Sequence, residues 1–150
     1  MKTRLILSKP LKINYTIKSG ESCAVNESLM YFDPFIFDEF QSNPFNEDRK
    51  NYPIELPYEN TFNQIMTINI PAGFEVVGMP RSELFMLPSN MAKFQYTTRL
   101  LDASIQINVK VEFPVRIMAQ EMNKNMKEFY GILIEKINEQ IVLKRIAVTN

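Results

Sequence analysis

The sequence predicts a mainly β fold: an antiparallel β-sandwich with one amphipathic helix near the carboxyl end and a final strand after it. Three observations predict it. Isoleucine outnumbers leucine 16 to 11, and phenylalanine adds 11 more; branched and aromatic side chains fit a pleated, half-buried surface. Apolar and polar residues alternate over long stretches, the period of a strand with one buried and one wet face. Successive strand-like segments are joined by turns too short to hold a helix, which favours a sandwich or meander over βαβ units.

Taken in order, the first such segment is Lys12–Lys18, alternating through Ile13, Tyr15 and Ile17 before a Ser19-Gly20 turn. From Met30 to Pro57 the period is lost. Tyr31, Phe32, Phe35, Phe37, Phe40 and Phe45 are mixed there with four prolines and several acids. So apolar a stretch is not disordered; it reads as an irregular segment pinned onto the sandwich by its aromatics. Phe62–Ile70 sets Phe62, Met66, Ile68 and Ile70 on one side and stops at Pro71-Ala72-Gly73, and Phe74–Met79 follows and ends at Pro80. Lys93–Leu100 groups Phe94, Tyr96, Thr98 and Leu100, then turns through Leu101-Asp102-Ala103-Ser104 into the longest alternation of the chain, Ile105–Ile117. A link so short makes an antiparallel hairpin. Pro114, on the wet face of that run, removes an amide donor and predicts a bulge or an edge position. Between Asn123 and Asn138, Met126, Phe129, Tyr130, Leu133, Ile134 and Ile137 form one helical stripe. Gly131 within it costs ~1 kcal/mol relative to alanine, so packing has to hold the helix. Ile141–Ile146 is the last strand. No repeat, low-complexity tract or linker divides the 150 residues, and one domain is expected over 1–150.

What is missing narrows the chemistry. The chain has no histidine, which removes Ser–His–Asp triads, Cys–His dyads and histidine-ligated zinc. Its single cysteine, Cys23, can close no internal disulfide and form no multi-thiolate metal site. Seventeen basic side chains balance seventeen acidic ones, an unsuitable surface for a phosphate backbone. No apolar run reaches the roughly 18–20 residues that span a bilayer, and Leu5-Ile6-Leu7 is shorter than the ~7–15 residues of a secretory core. The chain is therefore expected to be cytoplasmic, or part of something longer whose signal lies upstream.

Each candidate for chemistry also has a structural reading. Asp33, Asp38, Glu39, Glu47 and Asp48 could form a glycosidase pair or a hard-cation site. Their spacing matches no calcium loop, and with no tryptophan to stack a sugar a solvated loop is the better reading. Cys23 has no activating histidine and reads as a buried, inert thiol. In Asn43-Pro44-Phe45, followed by Arg49 and Tyr52-Pro53, Arg49 could hold a carboxylate. Turn chemistry explains the string without a ligand. Arg81, Lys93, Arg99, Lys110 and Arg116 could share a strand face, with Tyr96 nearby; interspersed acids make that a solvated face and not a nucleic-acid surface. The helix mixes acids with its lysines and packs on the sheet instead of lying on a membrane.

The order of the strings adds something. Asn43-Pro44-Phe45, Arg49, Tyr52-Pro53-Ile54 and Leu56-Pro57-Tyr58 come first. Ile68-Asn69-Ile70-Pro71-Ala72-Gly73-Phe74 and Val76-Val77-Gly78-Met79-Pro80 follow, and Phe129-Tyr130 and Ile141-Val142-Leu143-Lys144-Arg145 close the series. From about Leu11 to Arg145 the chain resembles the uncharacterised C-terminal β-domain, a domain of unknown function, that follows a transglutaminase-like domain in large bacterial envelope proteins. The resemblance implies a non-catalytic accessory or interaction module. Its partner would be the adjacent papain-fold domain of the same polypeptide, and its location the periplasm or cell envelope. It supplies no catalytic residue, cofactor or metal ligand to carry over, and the family's catalytic cysteine and histidine would lie in the preceding domain. The expected interaction surface is the aromatic segment with its flank: Phe35, Phe37, Phe40, Arg49 and Tyr52. The alternative is a stand-alone protein- or glycan-binding sandwich, which a concave, tyrosine-lined cleft would favour. The oligomeric state is left open.

Overall fold

The computed structural model describes residues 23–26, 28–35, 40–46 and 52–147. The strand expected at Lys12–Lys18, together with Phe37 and Arg49, lies outside them. Ten strands and one helix of eight or more residues are present among the described residues: β1 (Cys23–Asn26), β2 (Leu29–Phe32), β3 (Ile54–Glu55), β4 (Asn60–Asn69), β5 (Phe74–Gly78), β6 (Glu83–Met86), β7 (Lys93–Leu101), β8 (Ser104–Phe113), β9 (Ile117–Met118), α1 (Asn123–Ile137) and β10 (Ile141–Arg145). They form two four-stranded sheets, ordered β1-β2-β10-β5 and β4-β8-β7-β6, and a two-stranded ribbon of β3 and β9. All pairings are antiparallel.

The hairpin from β7 to β8 runs in unbroken register, with Leu101 opposite Ser104 and Lys93 opposite Glu112. In β8, Ile105, Ile107, Val109, Val111 and Phe113 are buried, and the residues between them are half-buried. That strand lies inside its sheet, so its outer face is also partly covered. β4 alternates between half-buried and exposed residues along its whole length, with Phe62, Met66 and Ile68 on the inner side. The Pro71–Phe74 turn closes with Phe74 N–H donating to the Pro71 carbonyl at 3.2 Å, and Gly73 takes φ +83°, the left-handed value a type II turn needs at that position.

The alternation expected over Ile105–Ile117, with a bulge or edge position at Pro114, holds as one strand only as far as Phe113. Pro114 has no amide to donate, the chain bends away, and Ile117–Met118 pairs with Ile54–Glu55 instead. The phase is lost as well: Ile117 is 65% exposed while Met118 is buried. β2 and β6 carried too few alternating positions to be read from the sequence. β2 lies within the segment read as irregular, where β10 pairs with it through Leu143–Met30 and Ile141–Phe32.

One core joins both sheets and the helix. Phe94 and Tyr96 of β7, the inner row of β8, Met126, Phe129 and Leu133 of α1, and Ile141 and Leu143 of β10 are all buried in it. Phe129 lies 5.9 Å from Phe85 and 5.8 Å from Phe113, ring centre to ring centre, which seats α1 on the β4-β8-β7-β6 sheet. Each such side chain contributes about 1.5–3 kcal/mol on burial, enough to hold a helix with a glycine at its middle. Of the predicted stripe, Met126, Phe129, Leu133 and Ile137 are buried and Tyr130 and Ile134 half-buried, and the helix starts at the expected Asn123 and ends within one residue of the expected Asn138.

Candidate functional site

The Asn43-Pro44-Phe45 string builds one wall of a groove. Asn43 turns the chain: its side-chain oxygen accepts from Phe45 N–H at 2.9 Å and its carbonyl from Asn46 N–H at 3.3 Å, with Pro44 preset for the turn's first corner. The loop then docks on α1 by a reciprocal exchange. Asn43 Nδ2 donates to the Lys127 carbonyl at 2.8 Å, and Lys127 Nζ donates to the Asn46 carbonyl at 3.4 Å. Phe45 packs against Tyr130 at 5.4 Å, and Tyr130 stacks on Phe113 at 5.9 Å and 15°.

The opposite wall is the ribbon. Leu56 N–H donates to the Arg116 carbonyl at 2.8 Å, extending the two-residue β3–β9 pairing. The first turn of α1 closes one end: Asn123 Nδ2 donates to the Gln120 carbonyl at 2.8 Å and reaches the Tyr52 carbonyl at 3.5 Å. Between these walls lies a cavity of about 360 Å³, lined by Pro44, Phe45, Tyr52, Pro53, Ile54, Glu55, Leu56, Asn123 and Tyr130. Its size suits a small ligand or a few side chains of a partner. The lining is aromatic and aliphatic, with the Glu55 carboxylate and the Asn123 amide as its polar groups besides the tyrosine hydroxyls. Burial pushes the Tyr130 hydroxyl above the ordinary tyrosine range. This groove can bind; its lining holds no nucleophile beside a base.

The residues expected to form an interaction surface divide. Phe35 lies 6.0 Å from Tyr96, and Phe40 meets Phe62 edge-on at 5.3 Å and Tyr130 at 6.4 Å. Both are half-buried on the molecule's own core, so the aromatic segment packs internally at these two positions. Tyr52 is 76% exposed at the groove rim. Asp33 accepts from Phe35 N–H at 3.4 Å as a local turn. Asn123, Glu55 and Tyr130 line the groove without having been singled out as site residues. Tyr130 belongs to the helical stripe, and only its place at the stripe's edge gives it a second face.

Two further polar clusters stand apart from the groove. Lys93, Arg99 and Lys110 do share the outer face of the β7–β8 hairpin, whereas Arg81 and Arg116 lie in connections between strands. Glu112 sits between Lys110 at 2.8 Å and Lys93 at 3.8 Å, and the hydrogen bond from Lys110 holds its carboxyl below the usual carboxylate range. Nearby, Gln95, Thr97, Arg99, Gln106 and Asn108 line a hollow of about 260 Å³. Inside the core, Lys136 pairs with Glu139 at 2.9 Å and Glu83 at 3.3 Å, its ammonium 5.7 Å from the Tyr96 ring centre. Among the described residues no group of three or more Cys, Asp or Glu is placed to hold a metal ion, and no helix is long and apolar enough to cross a membrane.

The comparisons with known proteins bear on the fold. No curated protein matched the sequence. In a crystal structure, a "putative protease" from Parabacteroides distasonis shares the fold, with a TM-score of 0.61 at 12% identity. The match covers 79% of this chain and 24% of that protein, so the chain spans about a quarter of its length. A family model described as a domain of unknown function with a solved structure, DUF3858, matches residues 28–143. The chain belongs to that family.

Proposed function

We propose, with membership of this family of domains of unknown function as the premise, that the domain is a non-catalytic accessory module. Its parent would be a larger transglutaminase-like, papain-fold protein of the bacterial cell envelope. The module would pack against the catalytic domain of the same polypeptide or help present substrate to it. The carrying observation is one of proportion: 79% of this chain matches 24% of a much longer protein named for proteolysis. The chain's own chemistry supports the reading, since a lone cysteine and no histidine cannot make a papain-type pair. An immunoblot of the native host with an antibody to this domain tests it. The expected result is an envelope-fraction band several times larger than 17.5 kDa; a soluble band at that mass would overturn it. Protease, transglutaminase or glycosidase activity in the purified chain would overturn its non-catalytic part.

A second reading is favoured by the groove itself. A concave cleft walled by Phe45, Tyr52 and Tyr130 suits a stand-alone module that binds a protein segment or a glycan, because aromatic faces stack on sugars and apolar side chains alike. With no tryptophan in the chain, tyrosine emission reports on binding directly. Titration with peptides and oligosaccharides should perturb it, and Tyr52→Ala should weaken a ligand about tenfold, the loss of one good stacking contact. An unchanged affinity would remove the groove from this reading.

A further inference from the structure

Sheet edges are normally guarded by charge, proline, bulges or shortness, because a bare row of amides and carbonyls recruits another strand. Three of the four edges of the two larger sheets follow that rule. β1 and β6 are four residues long, β6 begins with Glu83, and β5 is five residues long with Glu75 within it. β4 does not. It lies at the edge of its sheet and pairs, among the described residues, only with β8. It runs for ten residues, Asn-Thr-Phe-Asn-Gln-Ile-Met-Thr-Ile-Asn, with no charge, proline or glycine and no break in register. At its middle Ile65 is 63% exposed.

We propose that β4 pairs with β4 of a second copy of this chain, antiparallel and about a two-fold axis through Ile65, so that the two β4-β8-β7-β6 sheets become one. The sequence is self-complementary in that register. On the outer face Ile65 meets its own copy, flanked by Asn63 opposite Thr67 and Thr61 opposite Asn69. On the core face Phe62 meets Ile68 and Gln64 meets Met66. Every apolar side chain but Met66 then faces another apolar one, and no like charges oppose, since the strand has none. The pairing also accounts for the half-buried state of Phe62, Met66 and Ile68, whose counterparts one strand inward, Ile105, Ile107 and Val111, are fully buried. A neighbouring strand would cover what remains open. A two-fold arrangement uses both edges at once and closes, where a head-to-tail one would propagate into a fibre. The inference does not depend on the accessory reading.

Sedimentation of the full chain over a wide concentration range tests it. The expected mass is twice 17.5 kDa. Ile65→Lys, which sets two lysines face to face at the axis, should return the monomer and shift the dissociation constant at least a hundredfold. Leu84→Lys, equally exposed at 61% on the opposite edge strand, should leave the dimer intact. Because Ile65→Lys could also disturb folding, a second variant reads the register without added charge. In a Cys23→Ser background, Ile65→Cys should form an interchain disulfide on oxidation, since directly opposed positions bring Cβ atoms within bridging range; Leu84→Cys should not. A chain that stays monomeric at every concentration overturns the proposal and leaves the edge to a different strand. A dimer that survives Ile65→Lys in a folded protein, or that cross-links at Leu84→Cys in preference to Ile65→Cys, overturns it as well.

Discussion

Tyr96 carries an unusual load for a core residue. Its side chain is fully buried, yet the hydroxyl has no hydrogen-bond partner among the described residues, a state that costs about 1–3 kcal/mol for a desolvated polar group. The Lys136 ammonium over its ring offsets part of that cost through the negative face of the π-system. Tyr96→Phe removes the stranded oxygen and keeps the ring. We expect the variant to be as stable as the parent or up to about 2 kcal/mol more so, measured by urea unfolding; a loss above about 1 kcal/mol would mean the hydroxyl has a partner after all. The same residue sets a pH limit. Burial, helped by Glu139 and Asp33, raises its hydroxyl well above the ordinary tyrosine value. A raised value in the folded state means folding favours the protonated form. The contribution is therefore fully present below the unfolded value of about 10 and is lost as pH rises beyond it. Thermal midpoints of the parent should fall above pH 10, and less steeply in Tyr96→Phe. Some decline should persist, because burial raises Tyr130 in the same direction.

The helix and the loop docked on it behave as one element. Gly131 faces solvent, and a methyl group added there would meet no heavy atom within 4 Å beyond its chain neighbours and its own helix backbone. Gly131→Ala should therefore deliver most of the ~1 kcal/mol of helix propensity that the glycine forgoes, a rise of roughly 2–4 °C in thermal midpoint for a domain of this size. No rise would mean that the helix is bent at this position in solution. Asn43→Ala acts in the opposite direction. It removes both the turn bond to Phe45 and the bond to the Lys127 carbonyl, which should cost about 1–2 kcal/mol and free the groove wall. Amide exchange at Phe45 should quicken together with the drop in stability; a drop without it would place the loss elsewhere. Asn43 was legible as a turn former from the Asn-Pro pair alone. Its partner was not, because Lys127 lies 84 residues away and nothing in local sequence announces a contact of that range.

Across the whole molecule, the parts read most accurately from sequence were those in which one period persists. α1 and the β7–β8 hairpin carry a sustained stripe or alternation; the span of α1 and the pairing of β7 with β8 match the expectation, while β8 ends at Phe113 instead of running on to Ile117. The misreadings fall where a local rule meets a distant partner. Pro114 was recognised as a disturbance of β8, but that the chain beyond it leaves for β3 depends on a strand more than fifty residues earlier. The short β2 shows no period of its own and is a strand because β10 lies beside it. The groove is illegible for the same reason: its walls come from three separated stretches, and of its lining Pro44, Phe45 and Pro53 had been read as turn chemistry, with Tyr52 alone placed in the expected interaction surface. β10 itself has a consequence for how the molecule comes into being. It follows every other described strand in the chain, yet it lies inside its sheet, and β2 and β5 touch only through it. During synthesis the β4-β8-β7-β6 sheet can assemble as its strands leave the ribosome, whereas β1-β2 and β5 must wait, unjoined, until nearly the whole domain has emerged. A ribosome that stalls before Ile141 would thus present one finished layer, an orphaned β1-β2 hairpin and a lone β5, a nascent chain with its apolar face open to chaperones.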